Sequence, residues 1–107
     1  MTDFTDRERA AEAKFAHDEE MHFRVHARRN KLLGQWAAQR MGLSSVEADA
    51  YASSVVQADF EESGDEDVVR KLLGDLTSAG VEVSEADVRE ALEAKAVEAK
   101  RALMGEA

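Results

Sequence analysis

Apolar residues recur along this chain at the three-to-four spacing of helices, and nowhere do they alternate for long as a strand would require. The first and longest such stretch, Arg7 to Met41, has no proline and one glycine. Its apolar content is uneven. Before Met21 stand only Phe4, Phe15 and small alanines, whereas Met21, Val25, Leu32, Leu33, Trp36, Ala37 and Met41 follow. The second half can dock on a core; the first half largely cannot. Three shorter helical stripes come next. They are Ala48, Tyr51, Ala52, Val55, Val56 and Phe60, then Val68, Val69, Leu72, Leu73 and Leu76, then Val88, Leu92, Ala96, Ala99 and Leu103. The third is the most apolar face of the chain, and the alanines of the fourth suit close helix packing.

Capping chemistry marks the boundaries. Thr5 with Glu8 three residues later reads as a capping box that opens the first helix. Gly42 supplies the left-handed residue that ends it, and Ser44 with Glu47 opens the second. Gly64 breaks the pattern again, with Ser63 or Asp65 as cap for the third helix. Gly80 ends that helix, and Ser84 with Asp87 opens the fourth, flanked by the staple pair Val83 and Val88. Gly34, inside the first helix beside Trp36, is a place where a neighbouring helix can approach closely. The expected fold is all-α: an antiparallel four-helix bundle over residues 21–107 with a long, overhanging N-terminal helix or arm over residues 1–20. The arm has little apolar surface to bury, and isolated helices are marginal in water, so it is expected to be weakly ordered when free.

Charge follows the same division. Residues 1–20 carry seven acids against three bases, residues 21–41 carry five bases (Arg24, Arg28, Arg29, Lys31, Arg40) and no acid, and residues 42–107 carry 16 acids against 6 bases. The net charge of −9 repels nucleic acid and anionic membrane, so neither is expected as a partner. The basic stretch reads first as a face that is solvated or paired within the chain. With 107 residues the chain has one domain's worth of core. It has no cysteine, which removes disulfides, thiolate metal sites and cysteine catalysis. The N-terminal MTDFTDRERA has no apolar run of the secretory kind, and no stretch approaches the roughly 18 apolar residues of a membrane span, so no membrane insertion is expected. Cytoplasm is the default location.

Little here points to catalysis. Asp18, His22 and His26 share a helix face at four-residue spacing, which can serve a metal. No cysteine joins them, however, and Phe23 stands where an HExxH motif needs glutamate, so solvated or carboxylate-paired histidines are the plainer reading. Acid pairs such as Glu19 with Glu20 and Glu61 with Glu62 need a pocket to separate their pKa values before they do acid–base work. The serine pairs Ser44–Ser45 and Ser53–Ser54 lack a GxSxG turn, and there is no glycine-rich phosphate loop. Trp36, three and four residues after Leu33 and Leu32, reads as core. Phe4 and Phe15 lie eleven residues apart, close to three helical turns, and so share a face that either packs at home or docks in a partner's groove.

Three words of sequence carry a family resemblance: DRERAAEAKFAHDEE (Asp6 to Glu20), ARRNKLLGQWAAQRMGL (Ala27 to Leu43) and DFEESGDEDVVRKL (Asp59 to Leu72). The chain closely resembles the zeta inhibitor subunit of the alphaproteobacterial F-type ATP synthase, over almost its whole length and more loosely from Ser84 onward. Phe23 matches the family's aromatic position, while His22 and His26 look particular to this sequence. The resemblance implies a non-enzymatic regulatory protein that inhibits ATP hydrolysis. Its N-terminal segment would enter the catalytic head of the synthase and block rotation. The inhibitory segment maps to residues 2–19 and contains Phe4, Arg7, Glu8, Arg9, Glu12, Lys14 and Phe15. The implied partners are the catalytic, non-catalytic and rotor subunits of the head, with the protein cytoplasmic and peripheral to the membrane through the synthase. No cofactor is required, although the resemblance also implies weak ATP or ADP binding in some members. The alternative is an adenine-nucleotide-responsive binding module with a different protein target.

Overall fold

The computed structural model describes the backbone of residues 2–61 and 64–105 and the side chains of residues 19–59 and 64–105. Among them are four helices and no strand: α1 (Thr2–Arg40), α2 (Ser45–Glu61), α3 (Asp65–Ser78) and α4 (Glu85–Gly105). At 39 residues α1 is about 58 Å long by its helical rise, and the molecule's longest dimension is 66 Å against 25 and 21 Å across. The α1 helix packs mainly on α2 and α4 and lightly on α3, and α3 in turn touches α2 and α4. Among the described residues, no helix is long and apolar enough to cross a membrane.

The helix ends follow the local chemistry at four of the expected boundaries. Ahead of α2, the Glu47 amide donates to Ser44 Oγ at 3.3 Å and the Ser44 amide donates to Glu47 Oε1 at 3.2 Å. Ser84 and Asp87 repeat this reciprocal box before α4, at 3.1 and 3.0 Å. After α1, Gly42 takes φ +72°, its amide donates to the Gln39 carbonyl, and the Leu43 amide reaches back to the Ala38 carbonyl. Gly80 does the same after α3, with φ +81° and the Val81 amide on the Leu76 carbonyl. These are Schellman closures, in which only a residue without Cβ takes the left-handed turn cheaply.

Two boundaries differ from the expected ones. The first helix begins at Thr2, not after Thr5, so Thr5 lies within the helix and is not its cap. Nothing in residues 2–5 breaks a helix, and the ladder of backbone bonds simply continues. Before α3 the cap position is Gly64, with no side-chain cap bond, and Asp65 stands in the first turn beside Glu66 and Asp67. Three carboxylates thus stand at the positive end of the helix dipole, which favours the start of α3 without a side-chain cap bond.

The core gathers one stripe from each helix: Leu33 and Ala37 from α1, Val55 from α2, Val68, Val69, Leu72 and Leu76 from α3, and Val88 and Leu92 from α4. Trp36, Tyr51, Leu73, Val81 and Val83 pack around it, partly buried. Ala52 and Ala99 are fully buried as well. Of the expected stripes, only Phe60 lies outside the described side chains. The close approach expected at Gly34 is also present, because a Cβ built there would stand 2.6 Å from Ala52 Cα and 3.2 Å from Val55 Cγ2. Hydrogen is thus the largest side chain that α1 can carry at this crossing.

Candidate partner-binding surface

The residues expected to form the arm and those of the core belong to one helix, so the functional question is where along α1 the burial of the described side chains begins. The backbones of Phe4, Arg7, Glu8, Arg9, Glu12, Lys14 and Phe15 belong to α1, and their side chains lie outside the described residues. From Glu19 onward the side chains are described. Residues 19–28 are all exposed or half-buried, and the first fully buried side chains are Arg29 and Asn30. Among the described side chains, the first large apolar group to be fully buried is Leu33, twelve residues after Met21, where the charge changes sign.

The junction is held by polar contacts. Arg24 Nη2 donates to Glu20 Oε1 at 2.7 Å across one exposed turn of α1. The His22 and His26 rings lie 5.2 Å apart, inclined at 40°. His26 turns towards α2, where its Nδ1 is 3.2 Å from Asp59 Oδ2, with both groups mostly out of water. The carboxylate-paired histidine allowed by the sequence is therefore present, and its partner comes from a helix 33 residues away. Asp18, the third member of the candidate metal face, has its side chain outside the described residues. Among the described residues, no three His, Asp or Glu side chains cluster to hold a metal ion.

One turn further on, the Arg29 guanidinium is 5% exposed and fully engaged. Its Nε and Nη2 donate to Asn30 Oδ1 at 3.1 and 2.9 Å, and its Nη1 donates to Asp65 Oδ1 at 2.9 Å in the first turn of α3. A buried charge is tolerable only when paired and hydrogen-bonded, which this arrangement provides. Sequence reasoning missed this pair. The available signal was Asn30 itself, a polar residue three before Leu33 and seven before Ala37 and hence on the core-facing side.

Similar ties join the other helices. The Tyr51 hydroxyl of α2 donates to Asp75 Oδ2 of α3 at 2.7 Å, and Lys71 Nζ shares that oxygen at 3.1 Å. Burial together with the Asp75 carboxylate pushes the Tyr51 phenol far above its ordinary pKa, so it remains a donor. Arg89 of α4 bridges Glu66 of α3 at 2.7 Å and Glu85 at 3.0 Å, and its hydrogen bond holds the Glu66 carboxyl below the usual range. Four acids, Asp59, Asp65, Glu66 and Asp75, thus join helices, and Arg29 in the basic stretch is paired within the chain, one of the two readings the sequence allowed.

Two surface features remain near the junction. Phe23 is 53% exposed, a large apolar group on the stretch of α1 that leads into the core. The outward face of α1 carries Arg24, Arg28 and Lys31, all exposed. Among the described residues, nothing assembles a nucleophile, a base and a binding cleft. The arrangement does provide a 39-residue helix whose fully buried side chains, among those described, start at Arg29.

Comparison with known proteins gave a matching family and a similar solved structure. The family model described as ATPase inhibitor subunit zeta matches residues 1–102. Among solved structures, the chain is similar to one determined by NMR in solution, with 52% identity, a TM-score of 0.71, and an alignment covering 81% of this chain and 99% of that one. No curated protein matches.

Proposed function

The chain belongs to the ATPase inhibitor subunit zeta family, and from that membership we propose that it restrains ATP hydrolysis by the F-type ATP synthase through insertion of its N-terminal segment into the catalytic head. It is a regulatory protein of that family, not an enzyme. In this reading residues 21–107 form an antiparallel four-helix bundle and residues 1–20 an arm that overhangs it. The arm wedges between the stationary and rotating subunits, and the bundle remains outside. The protein is then cytoplasmic and peripheral to the membrane through the synthase.

One observation carries the proposal: α1 runs unbroken from Thr2 to Arg40, yet its fully buried side chains start only at Arg29 among those described. A helix longer than its own bundle requires has a free end to offer. Arm residues with little apolar surface are weakly ordered in solution and complete their helix on the partner, so binding must recover the ordering entropy through a few apolar anchors. Phe4 and Phe15 are the large apolar groups available for this beyond Met1. Arg7, Glu8, Arg9, Glu12 and Lys14 would set orientation and encounter rate more than residence time.

The test is ATP hydrolysis by the cognate head with full-length protein and with a form lacking residues 2–19, after circular dichroism has shown both to be folded. The expected result is inhibition by the full chain and none by the truncated form. Equal inhibition by both would move the active surface to the bundle. No inhibition by either would favour the nucleotide-responsive module.

A further inference from the structure

Among the described residues only two polar side chains are buried, Arg29 and Asn30, and they are neighbours on α1. The Arg29 guanidinium donates through Nη1 to Asp65 Oδ1 in the first turn of α3, and through Nε and Nη2 to Asn30 Oδ1. No buried side-chain nitrogen or oxygen among the described residues lacks a partner. From Glu19 to Arg28 no side chain is fully buried, so this fork stands where full burial of α1 begins. Stability alone does not call for a charge there, because apolar side chains of similar size in place of a buried ion pair are often neutral or stabilising. What they lack is direction. Apolar burial tolerates one helix sliding or turning on another, whereas a guanidinium holds its donors in a fixed plane that fits one placement of its acceptors. A slip of α1 by one turn, about 5.4 Å, would take Arg29 away from Asp65 and leave its charge buried and unpaired.

We propose that Arg29, with Asn30 and Asp65, is a positioning lock: it fixes the rotation and register of α1 on α3 and thereby aims the N-terminal segment at the ATPase head. This rests on the inhibitory reading above and deepens it. Arg29 acts through α1 and not by touching the partner. Because α1 is one helix from Thr2 to Arg40, the turn held at Arg29 sets the axis along which the segment extends. Phe15 stands fourteen residues ahead of Arg29, about 21 Å along that axis, and a tilt of about 10° at the lock would move it by about 4 Å. The held turn is also the template from which the segment's helix propagates on the partner, without a new and costly nucleus. A loose register at Arg29 would have to be fixed during binding, and the entropy of fixing it would be lost from the affinity.

The experiment compares full-length wild type, the double variant Arg29→Met with Asn30→Leu, and Arg29→Lys. The chain has no cysteine, so spin labels on Glu19→Cys and Thr77→Cys, both exposed positions outside the lock, report how α1 sits on α3. Wild type is expected to give one narrow distribution of label distances. The double variant should melt no lower than wild type, yet give a distribution that is broadened or shifted by about 5 Å, one helical turn. Its inhibition of ATP hydrolysis by the isolated head should be weaker by about tenfold or more. Arg29→Lys keeps the charge without the planar fork, and should fall between the two in distance spread and in inhibition. A folded double variant with the wild-type distribution, or with wild-type inhibition, overturns the lock and leaves the inhibitory reading standing. Should the double variant not fold, Arg29→Lys decides alone, and wild-type distances or wild-type inhibition in it overturn the lock. No inhibition by wild type removes the inhibitory reading and the lock's role together.

Discussion

At Gly34 two opposing residue-level effects can be weighed. Alanine in a helix interior is favoured over glycine by about 1 kcal/mol. Here, however, its Cβ would stand 2.6 Å from the Ala52 backbone, which cannot give way as a flexible side chain would. Overpacking of this kind costs about 1–3 kcal/mol. Gly34→Ala is therefore expected to destabilise the fold by up to roughly 2 kcal/mol net. A urea titration checks this, and a variant more stable than wild type would mean that α1 and α2 do not cross this closely. Arg29 illustrates the opposite limit of what residues reveal alone. Its charge allowed a face either solvated or paired within the chain, and it is paired and buried, because Asp65 arrives from α3 and Asn30 from the next position on α1. The partner lies 36 residues away, and no local pattern points to it.

The helix ends were the most legible elements. A serine followed three residues later by a carboxylate satisfies two backbone amides locally, whatever the rest of the fold does. Both boxes at Ser44 and Ser84 formed as read. The Ser44 hydroxyl and amide hold Glu47 below the ordinary carboxylate range, and those of Ser84 do the same for Asp87. A carboxyl whose folded pKa is depressed adds stability that is present above its unfolded pKa, near 4, and is lost as pH falls through the folded value. Glu47→Ala and Asp87→Ala should therefore lower the melting temperature clearly at pH 6, with the gap to wild type closing as pH falls towards 3. Thermal melts across that range test it; a gap that stayed constant would assign the effect to something other than the ionised cap. The start of α1 and the cap of α3 were less legible. A weak cap signal at Thr5 does not stop a helix that has no breaker, and at Gly64 the acids of the following turn suffice without a side-chain cap.

At the scale of the whole molecule, stability and inhibition are expected to separate. Leu72 is fully buried at the centre of the core, so Leu72→Ala should cost about 2–5 kcal/mol out of the roughly 5–15 kcal/mol available to a domain. Phe15→Ala should leave the melting curve of the free protein unchanged and weaken inhibition by about 1 kcal/mol or more, as the loss of a buried anchor does. Melting curves and hydrolysis assays on the two variants check both halves of this statement. If both variants lost stability together, the division into bundle and arm would be wrong. The sequence by itself determined the four helices, four of the boundaries, the apolar stripes and the family, because these depend on interactions within a few residues or on words of sequence read directly. Only the tertiary structure decided which charges are joined. His26 with Asp59, Arg29 with Asp65, Tyr51 with Asp75 and Glu66 with Arg89 each link two different helices. Such pairs depend on how far one helix slides along another, and apolar packing of whole stripes sets that distance.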